Sequence, residues 1–539
     1  MGIEGNWQPV SRRRFLTRVG AAAGTLALGS TAEGWTRTWA HPRFTSDPFT
    51  LGVASGEPLP SGVVLWTRLA PELLADGGMP RRRVPVRWEV AKDAGFRRVV
   101  EKGLTFADPE FAHSVHVEVD DLRPGYEYYY RFKAGTEISP VGRTKTAPGP
   151  YSRPNNLAFA VASCQHYEQG YYTAYGHMAK EDLDFVVHLG DYIYEGPPNL
   201  SAVRQHDGPE PIQLLAYRRR HTLYGADADL QAARAAFPFI ATWDDHEVEN
   251  NYAGDVPQDE PGRVPDTPGF LRRRAAAYQA YYEHMPLRHA QRPGGPYLRL
   301  FRRRTFGNLL ELNVMDTRQY RSDQACGDGQ DIDCAERLAP ARTITGAKQE
   351  AWLLNGLGRS RARWNVLAQQ VFFAQRDTIA GPQQRFSMDA WDGYTASRNR
   401  VLAGIVERRV RNPVVLTGDV HNHWACDLKA NFDDPASPTV GVELVGSSIT
   451  SGGDGSDTIA PATQVTLAEN PHIRYFKGRR GYVHCDVARD QWQANFRTVA
   501  YVSTRGAPIS TDASFVIEDG HPGLQQVSEA SREGVQPSA

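Results

Sequence analysis

The side chains best suited to bind metal ions follow four short apolar segments of the sequence. These side chains are Cys164; Asp191 with Tyr194; Asp244, Asp245 and His246; and Asp419, His421 and His423. A site for two or three cations requires anionic or imidazole ligands that converge from different strands. A single carboxylate after a strand is commonly a helix cap, but capping does not readily explain four clusters in successive units. We therefore predict a site that binds more than one cation.

The segment from Asp191 to Tyr194 contains two ligand types that suit a pair of cations. Each carboxylate oxygen of Asp191 can bind one cation, so this residue is a candidate bridging ligand. A phenolate oxygen suits a trivalent ion, but a tyrosine with a pKa of about 10 ionises only when a strong Lewis acid binds it. We expect Tyr194 to be a ligand and Tyr192 to be an aromatic packing residue.

Apolar segments predict the strands that position these side chains. The segments are residues 157–162, 183–189, 237–242, 309–315, 364–372 and 413–417, with a helix predicted over 174–180. Because each segment is apolar throughout, we expect strands that are covered on both faces and alternate with helices. Layered α/β proteins place active sites beyond the carboxyl ends of such strands, where the polar clusters lie.

Residues 41–150 have a different pattern, with short alternating segments bounded by turn residues. The predicted strands are 49–54, 62–67, 84–90, 114–119 and 125–132. This spacing is typical of an all-β, immunoglobulin-like sandwich, and the absence of paired acids or histidine clusters there indicates a packing role. Proline, glycine and serine between residues 148 and 154 mark the junction with a second domain, residues 151–520. The polar residues 521–539 are expected to be disordered.

Composition excludes several classes of protein. The 539 residues are 41% hydrophobic and 23% charged, which is enough for a large core and two domains. With 61 basic and 62 acidic residues, the net charge of −1 gives no electrostatic reason to expect a nucleic-acid partner. No apolar run reaches the roughly 18 residues of a transmembrane span.

The first 40 residues resemble a twin-arginine export signal, and residues 11–16 read Ser-Arg-Arg-Arg-Phe-Leu. A weakly apolar, Gly/Ala-rich segment follows, with small residues near Ala32 and Ala40, although Thr17 replaces the usual lysine. The alternative is a basic amphipathic helix that remains attached. The resemblance implies the twin-arginine machinery as a partner and export, after folding, to the periplasm, cell wall or medium.

The five cysteines are an odd number for an oxidising compartment, so at least one is unpaired, and Cys164 is the candidate. Cys326 and Cys334 flank a short polar loop. The spacing is equally consistent with a small disulfide and with two free thiols.

Together these blocks resemble the metallophosphoesterase superfamily, and more closely its PhoD-type alkaline phosphatases. The matching blocks are residues 47–56, 162–165, 190–195, 243–247, 315–321 and 417–421. The resemblance extends from about residue 47 to beyond Gly481. It implies an α-β-β-α sandwich for residues 151–520 and Fe³⁺ and Ca²⁺ as cofactors.

The resemblance also implies roles for individual residues. The implied metal ligands are Cys164, Asp191, Tyr194, Asp245, Asp419 and His421. Cys164 would bind Fe³⁺, with a buried small hydrophobic residue as the alternative. Asp191 would bridge the ions, and Asp419, which replaces a histidine, favours a hard ion such as Ca²⁺. His246 would lie over the substrate and donate to a phosphate oxygen or to the leaving group.

Four further residues have two interpretations each. Asn250 and Asn251 either supply a carbonyl ligand to calcium or form a turn. Arg318 either orients the phosphate or forms a salt bridge. His423 either lines the pocket or lies at the surface or behind the ligands.

The hypothesis is metal-dependent hydrolysis of phosphate esters, in which a metal-bound hydroxide attacks phosphorus in line and His246 assists the leaving oxygen. Monoesters, diesters and phospholipid head groups all remain possible substrates. A secreted phospholipase D is the alternative enzyme and would need an apolar groove beside the cations. A non-catalytic metal-binding surface module is the alternative from another class, but such a site would have no use for His246.

Overall fold

The computed structural model describes residue 44 and residues 46–74, 76–258 and 266–529. The predicted export signal, residues 1–40, lies outside the described residues. Within the described part of the chain, no helix has the length and apolar character needed to cross a membrane.

The described residues form strands and helices that alternate through the second part of the chain. In chain order the strands are β1 (Val53–Leu59), β2 (Gly62–Arg68), β3 (Val84–Ala91), β4 (Val99–Ala107), β5 (Ser114–Val119), β6 (Glu127–Ala134), β7 (Glu137–Ile138), β8 (Gly142–Lys145), β9 (Asn156–Ala162), β10 (Phe185–His188), β11 (Pro238–Ala241), β12 (Arg302–Phe306), β13 (Leu310–Val314), β14 (Gln330–Ile332), β15 (Trp364–Ala368), β16 (Arg385–Ser387), β17 (Pro413–Thr417), β18 (His423–Lys429), β19 (Thr439–Val445), β20 (Gly455–Ser456), β21 (Ile473–Arg479), β22 (Gly481–Ala488), β23 (Gln491–Val499), β24 (Ile509–Glu518) and β25 (His521–Glu529). The helices are α1 (Thr173–Met178), α2 (Leu214–Gly225), α3 (Ala228–Ala236), α4 (Thr267–His284), α5 (Gly346–Leu357), α6 (Thr395–Glu407) and α7 (Pro461–Glu469).

Two large sheets stack face to face and position the site. One sheet has the order β25-β24-β23-β22-β9-β10-β11-β1-β2-β5, and the other has the order β12-β13-β15-β17-β19-β18-β21-β20. Strands β9, β10 and β11 are parallel, as are β13, β15, β17 and β19. The carboxyl ends of these parallel strands bear the polar clusters.

Alternate side chains of these strands pack on opposite faces, which explains their uniformly apolar sequences. In β9, Phe159 and Val161 lie in the core between the two sheets, whereas Ala160 and Ala162 face a core that includes residues of α1–α4. Residues of α5 and α6 pack in a third core with side chains of β15 and β17. The predicted α-β-β-α sandwich is therefore confirmed.

The predicted N-terminal β-sandwich is also confirmed, but it is not separate from the second domain. Strands β1, β2 and β5 pack against a smaller sheet of β3, β4, β6, β7 and β8. Strand β1 also pairs in parallel with β11, so one sheet crosses the predicted boundary at residue 150. The first strand begins at Val53 because residues 49–52 form a turn, closed by the Gly52 N–H and the Phe49 carbonyl.

The prediction of disorder after residue 520 is wrong for residues 521–529. This segment forms β25, an edge strand that pairs with β24 after a turn at Gly520, where φ is +79°. Leu524 is buried, and its N–H donates to Asp427 Oδ1 at 2.8 Å. A polar sequence can form such a strand because pairing at a sheet edge uses backbone groups.

The structure resolves the alternatives for the cysteines. Cys326 and Cys334 form a disulfide, whereas Cys164, Cys426 and Cys485 are free and buried.

Candidate metal centre

The predicted ligands lie on tight loops that follow β9, β10, β11 and β17. Cys164, Asp191, Asp419 and His421 have φ values of 58°, 54°, 64° and 57°. Such values are uncommon for residues other than glycine and concentrate at functional sites. Gly190 also has positive φ, and a Cβ there would lie 2.4 Å from the backbone nitrogen of Asp244. Only glycine therefore allows the loops after β10 and β11 to approach so closely.

Two groups of donor atoms share Asp191. Cys164, Asp191 and His421 form one group, and Asp191, Asp245 and His246 form the other. Within each group the donor atoms lie within 4.8 Å of one another. The fold thus brings together five residues that are far apart in the sequence and places Asp191 between two possible cation positions.

Tyr194 and Asp419 complete the predicted ligand set. The Tyr194 hydroxyl donates to Asp191 Oδ2 at 2.7 Å and lies 3.0 Å from His421 Nε2 and 2.8 Å from Ser451 Oγ. Asp419 belongs to neither donor group, but it is close enough to affect the pKa of other site residues. Burial and the carboxylate of Asp389 raise the pKa of Asp419 to about 7.

Several carboxylate oxygens at the site have no hydrogen-bond partner among the described residues. They are Asp191 Oδ1, Asp244 Oδ2 and Asp245 Oδ1, and all three atoms are buried. Buried polar atoms without partners are costly and require an explanation. Cations bound to these oxygens would satisfy them, so the donor set fits the implied metal ions.

The thiol of Cys164 and the phenol of Tyr194 need a cation to ionise. Burial and the charge of Asp191 raise the pKa of Cys164 well above its ordinary value. Burial also raises the pKa of Tyr194 well above its ordinary value, and the charges of Asp191 and Cys164 add to this effect. Both groups are therefore neutral without metal, and a bound Lewis acid would supply the charge that makes them ligands.

Arg318 compensates part of the negative charge. Its Nε donates to Asp244 Oδ1 at 2.5 Å, and Nη1 and Nη2 donate to the two oxygens of Asp389 at 2.6 and 2.9 Å. The guanidinium is fully buried. Arg318 thus forms a salt bridge, one of its two predicted interpretations. Sequence reasoning missed Asp389, which is a lone acid outside the matching blocks.

His246 is held as a proton donor. Its Nδ1 donates to Glu195 Oε2 at 2.7 Å, and its side chain is 21% exposed. Burial alone would lower the pKa of His246, but Glu195, Asp245 and Asp191 together raise it well above its usual value. Sequence reasoning missed the role of Glu195, although this acid directly follows Tyr194 in a matching block.

The structure separates the remaining candidates. Asn251 N–H donates to Asp245 Oδ2 at 2.7 Å, and Asn250 N–H donates to Glu195 Oε1 at 2.7 Å, so both form the turn that positions these acids. His423 is fully buried in β18, where its Nδ1 accepts from Ser447 N–H at 3.0 Å. It belongs to none of the donor groups among the described residues, and the surface alternative is excluded.

A third group of potential metal ligands, His166, Glu168 and His206, lies beside Tyr194, and sequence reasoning missed it. The ring of His166 packs 4.3 Å from that of Tyr194. Glu168 Oε1 accepts from the backbone N–H of His206 at 3.0 Å. The ring atoms Nδ1 and Nε2 of His206 each lie 2.9 Å from a partner, the Gly196 carbonyl and the Tyr224 hydroxyl respectively. Because backbone groups and the Tyr224 hydroxyl already occupy the polar atoms of Glu168 and His206, we interpret the cluster of His166, Glu168 and His206 as a support rather than a metal site.

Known proteins share this architecture. The PhoD-like phosphatase model matches residues 159–496, and the PhoD-like phosphatase N-terminal domain model matches residues 34–148. Alkaline phosphatase D of Bacillus subtilis (strain 168) is 54% identical over 531 residues, which cover 97% of this chain and 90% of that protein. A solved structure of PhoD is 55% identical, with a TM-score of 0.89, and the match covers 92% of this chain and 94% of that chain. These matches confirm the resemblance found in the sequence blocks, and the chain belongs to the PhoD-like phosphatase family.

Proposed function

We propose that this protein hydrolyses phosphate esters at the site around Asp191, with one cation bound beside Cys164 and His421 and a second bound beside Asp245. Family membership supports a metal-dependent phosphoric ester hydrolase. The observation that supports this location most strongly is the position of Asp191, which belongs to both groups and has a buried, unpartnered Oδ1.

The chemistry of the donors supports two different ions. Cys164, Tyr194 and His421 would hold Fe³⁺, because a thiolate and a phenolate suit a trivalent cation. Asp245 and Asp419 would hold Ca²⁺, which prefers carboxylate oxygens. When bound, such cations neutralise charge on the phosphoryl oxygens and activate water as a nucleophile.

His246 would protonate the leaving oxygen. The carboxylates around it maintain the imidazolium form, and Glu195 fixes Nδ1, so Nε2 is the nitrogen left to donate. The partial exposure of the ring allows a substrate to reach it. Asn250 N–H, bonded to the other oxygen of Glu195, holds that carboxylate in place.

The family match favours this function over the phospholipase D and the non-catalytic surface module. Export also remains our proposal. The disulfide between Cys326 and Cys334 supports it, because disulfides persist mainly in oxidising compartments.

The test is hydrolysis of p-nitrophenyl phosphate and bis(p-nitrophenyl) phosphate, with and without a chelator. Asp191→Ala and His421→Ala should each abolish turnover while circular dichroism stays unchanged. Asp433→Ala, at an exposed loop position, is the matched control and should retain full activity. Turnover at the unmodified rate in Asp191→Ala or His421→Ala would refute the proposed site.

A further inference from the structure

Arg376 is a partly exposed arginine near the site, and the proposed chemistry does not use it. It lies beyond the carboxyl end of β15, in a loop whose Gln370 carbonyl accepts from Gly418 N–H at 2.8 Å. Gly418 directly precedes Asp419. The loop that bears Arg376 is therefore bonded to the loop that bears two of the proposed ligands.

The guanidinium of Arg376 is held by aromatic rings rather than by an acid. It lies 4.5 Å from the ring centroid of Phe372 and 5.7 Å from that of Trp424. Trp424 follows His421 by three residues, and the two aromatic rings contact each other edge to face. Stacking on a ring face leaves the N–H groups at the edge of a guanidinium free to donate.

Within the described ranges of the chain, the side chain of Arg376 forms no hydrogen bond and no ion pair. In this respect it differs from three nearby arginines. The nearby arginines with carboxylate partners are Arg318 and Arg321, which bind Asp389, and Arg398, which binds Asp392. These pairs are almost completely buried. Arg376 is therefore the arginine of this group whose charge is available to a ligand.

The backbone around Arg376 is fixed. Arg376 N–H donates to Asp392 Oδ2 at 3.0 Å, and Trp391 N–H donates to the Phe372 carbonyl at 3.1 Å. Burial lowers the pKa of Arg376, and Asp419 opposes this effect more than any other charged group. An arginine remains protonated under these conditions, so Arg376 is a cation on a fixed backbone that interacts electrostatically with Asp419.

We propose that Arg376 binds the non-bridging phosphate oxygens of the ester substrate. Its planar fork of N–H donors matches the geometry of two phosphate oxygens, and a phosphate ester is an anion that must approach a site rich in carboxylates. The inference rests on the proposed function and identifies Arg376 as a substrate-binding residue.

The test compares Arg376→Gln and Arg376→Lys with Arg411→Gln in the metal-loaded protein. Arg411 is an exposed arginine that pairs with Asp519 and serves as the matched control. For both nitrophenyl esters, Arg376→Gln should lower kcat/KM by about 10- to 100-fold, mainly through KM, with unchanged metal content. Arg376→Lys should lower kcat/KM less than Arg376→Gln does, because lysine keeps the charge but not the fork of donors. The control, Arg411→Gln, should have the kcat/KM of the unmodified protein.

Equilibrium dialysis with inorganic phosphate tests the same contact without turnover. Arg376→Gln should bind phosphate about tenfold more weakly than the unmodified protein. Equal phosphate affinity in the two proteins, no phosphate binding by either, or an activity loss explained by lost metal would each overturn the inference. An unmodified protein that hydrolyses neither ester would refute the proposed function instead, and the dialysis would still decide the role of Arg376.

Discussion

Replacement of Arg318 by methionine is expected to destabilise the metal-free protein strongly. Arg318 donates to Asp244 and Asp389 and lies 3.6 Å from Asp245, and its guanidinium has no exposed surface. Methionine fills much of the same volume, so the main effect is the loss of a buried positive charge. Removing one partner of a buried ion pair typically costs about 3–5 kcal/mol.

Two features of the site place the expected loss in the free energy of unfolding near the lower end of this range, at about 3 kcal/mol. Asp389 keeps two other donors, Arg321 Nη1 at 2.5 Å and Gln324 Nε2 at 3.0 Å. Asp244 can bind a proton, because burial already raises its pKa well above the ordinary value.

The loss should increase with pH. Asp244 and Asp245 have folded-state pKa values above those of the unfolded chain, so their protonated forms stabilise the fold at low pH. This stabilisation disappears as pH rises through the folded-state values. Removal of Arg318 raises the folded-state pKa values of Asp244 and Asp245 further. Arg318→Met should therefore lower the free energy of unfolding more at pH 8 than at pH 5.

The assay is urea unfolding of chelator-treated protein at pH 5 and pH 8, followed by tryptophan fluorescence. Arg411→Met is the control, because its pair with Asp519 is partly exposed and should contribute less than about 1 kcal/mol. A loss below about 1 kcal/mol for Arg318→Met at pH 8 would refute the reasoning.

Three further predictions follow from the charges and the disulfide. In the metal-free protein, Asp419 should lose its stabilising proton between about pH 4 and pH 7, because its folded-state pKa is about 7; the stability of the unmodified protein relative to Asp419→Asn should therefore fall over this range, and a relative stability that rises would contradict this. Glu195→Gln should lower the pKa of His246, which moves the alkaline limb of the kcat/KM profile to lower pH, whereas an unchanged limb would exclude His246 as the acid. Replacement of Cys326 and Cys334 by serine should cost about 2–3 kcal/mol in urea unfolding, and an unchanged midpoint would show that the short loop contributes nothing.

The sequence predicted the layered fold well because its buried strands have a distinct local signature. Strand β9, for example, is apolar on both faces, with Phe159 on one face and Ala160 on the other. The polar residues of the site directly follow such strands. Parallel strands bring those ends to the same sheet edge, so distant side chains such as Cys164 and His421 were expected to meet.

The features that the sequence did not predict depend on long-range pairing. Nothing local to β1 indicates that it pairs with β11, and the polar sequence of β25 gives no sign that backbone bonds order it. Asp389 and Arg376 are isolated residues outside the matching blocks. Their positions beside the site become apparent only when the loops after β15 and β17 are folded together.

The most direct test of the central claim is the metal content of freshly purified protein, measured together with its visible absorption spectrum. We predict stoichiometric iron and calcium and a phenolate-to-iron absorption band. Tyr194→Phe should abolish the band, whereas Tyr192→Phe, which alters a buried packing residue, should retain it. The absence of both metals, or a band that persists in Tyr194→Phe, would contradict the account.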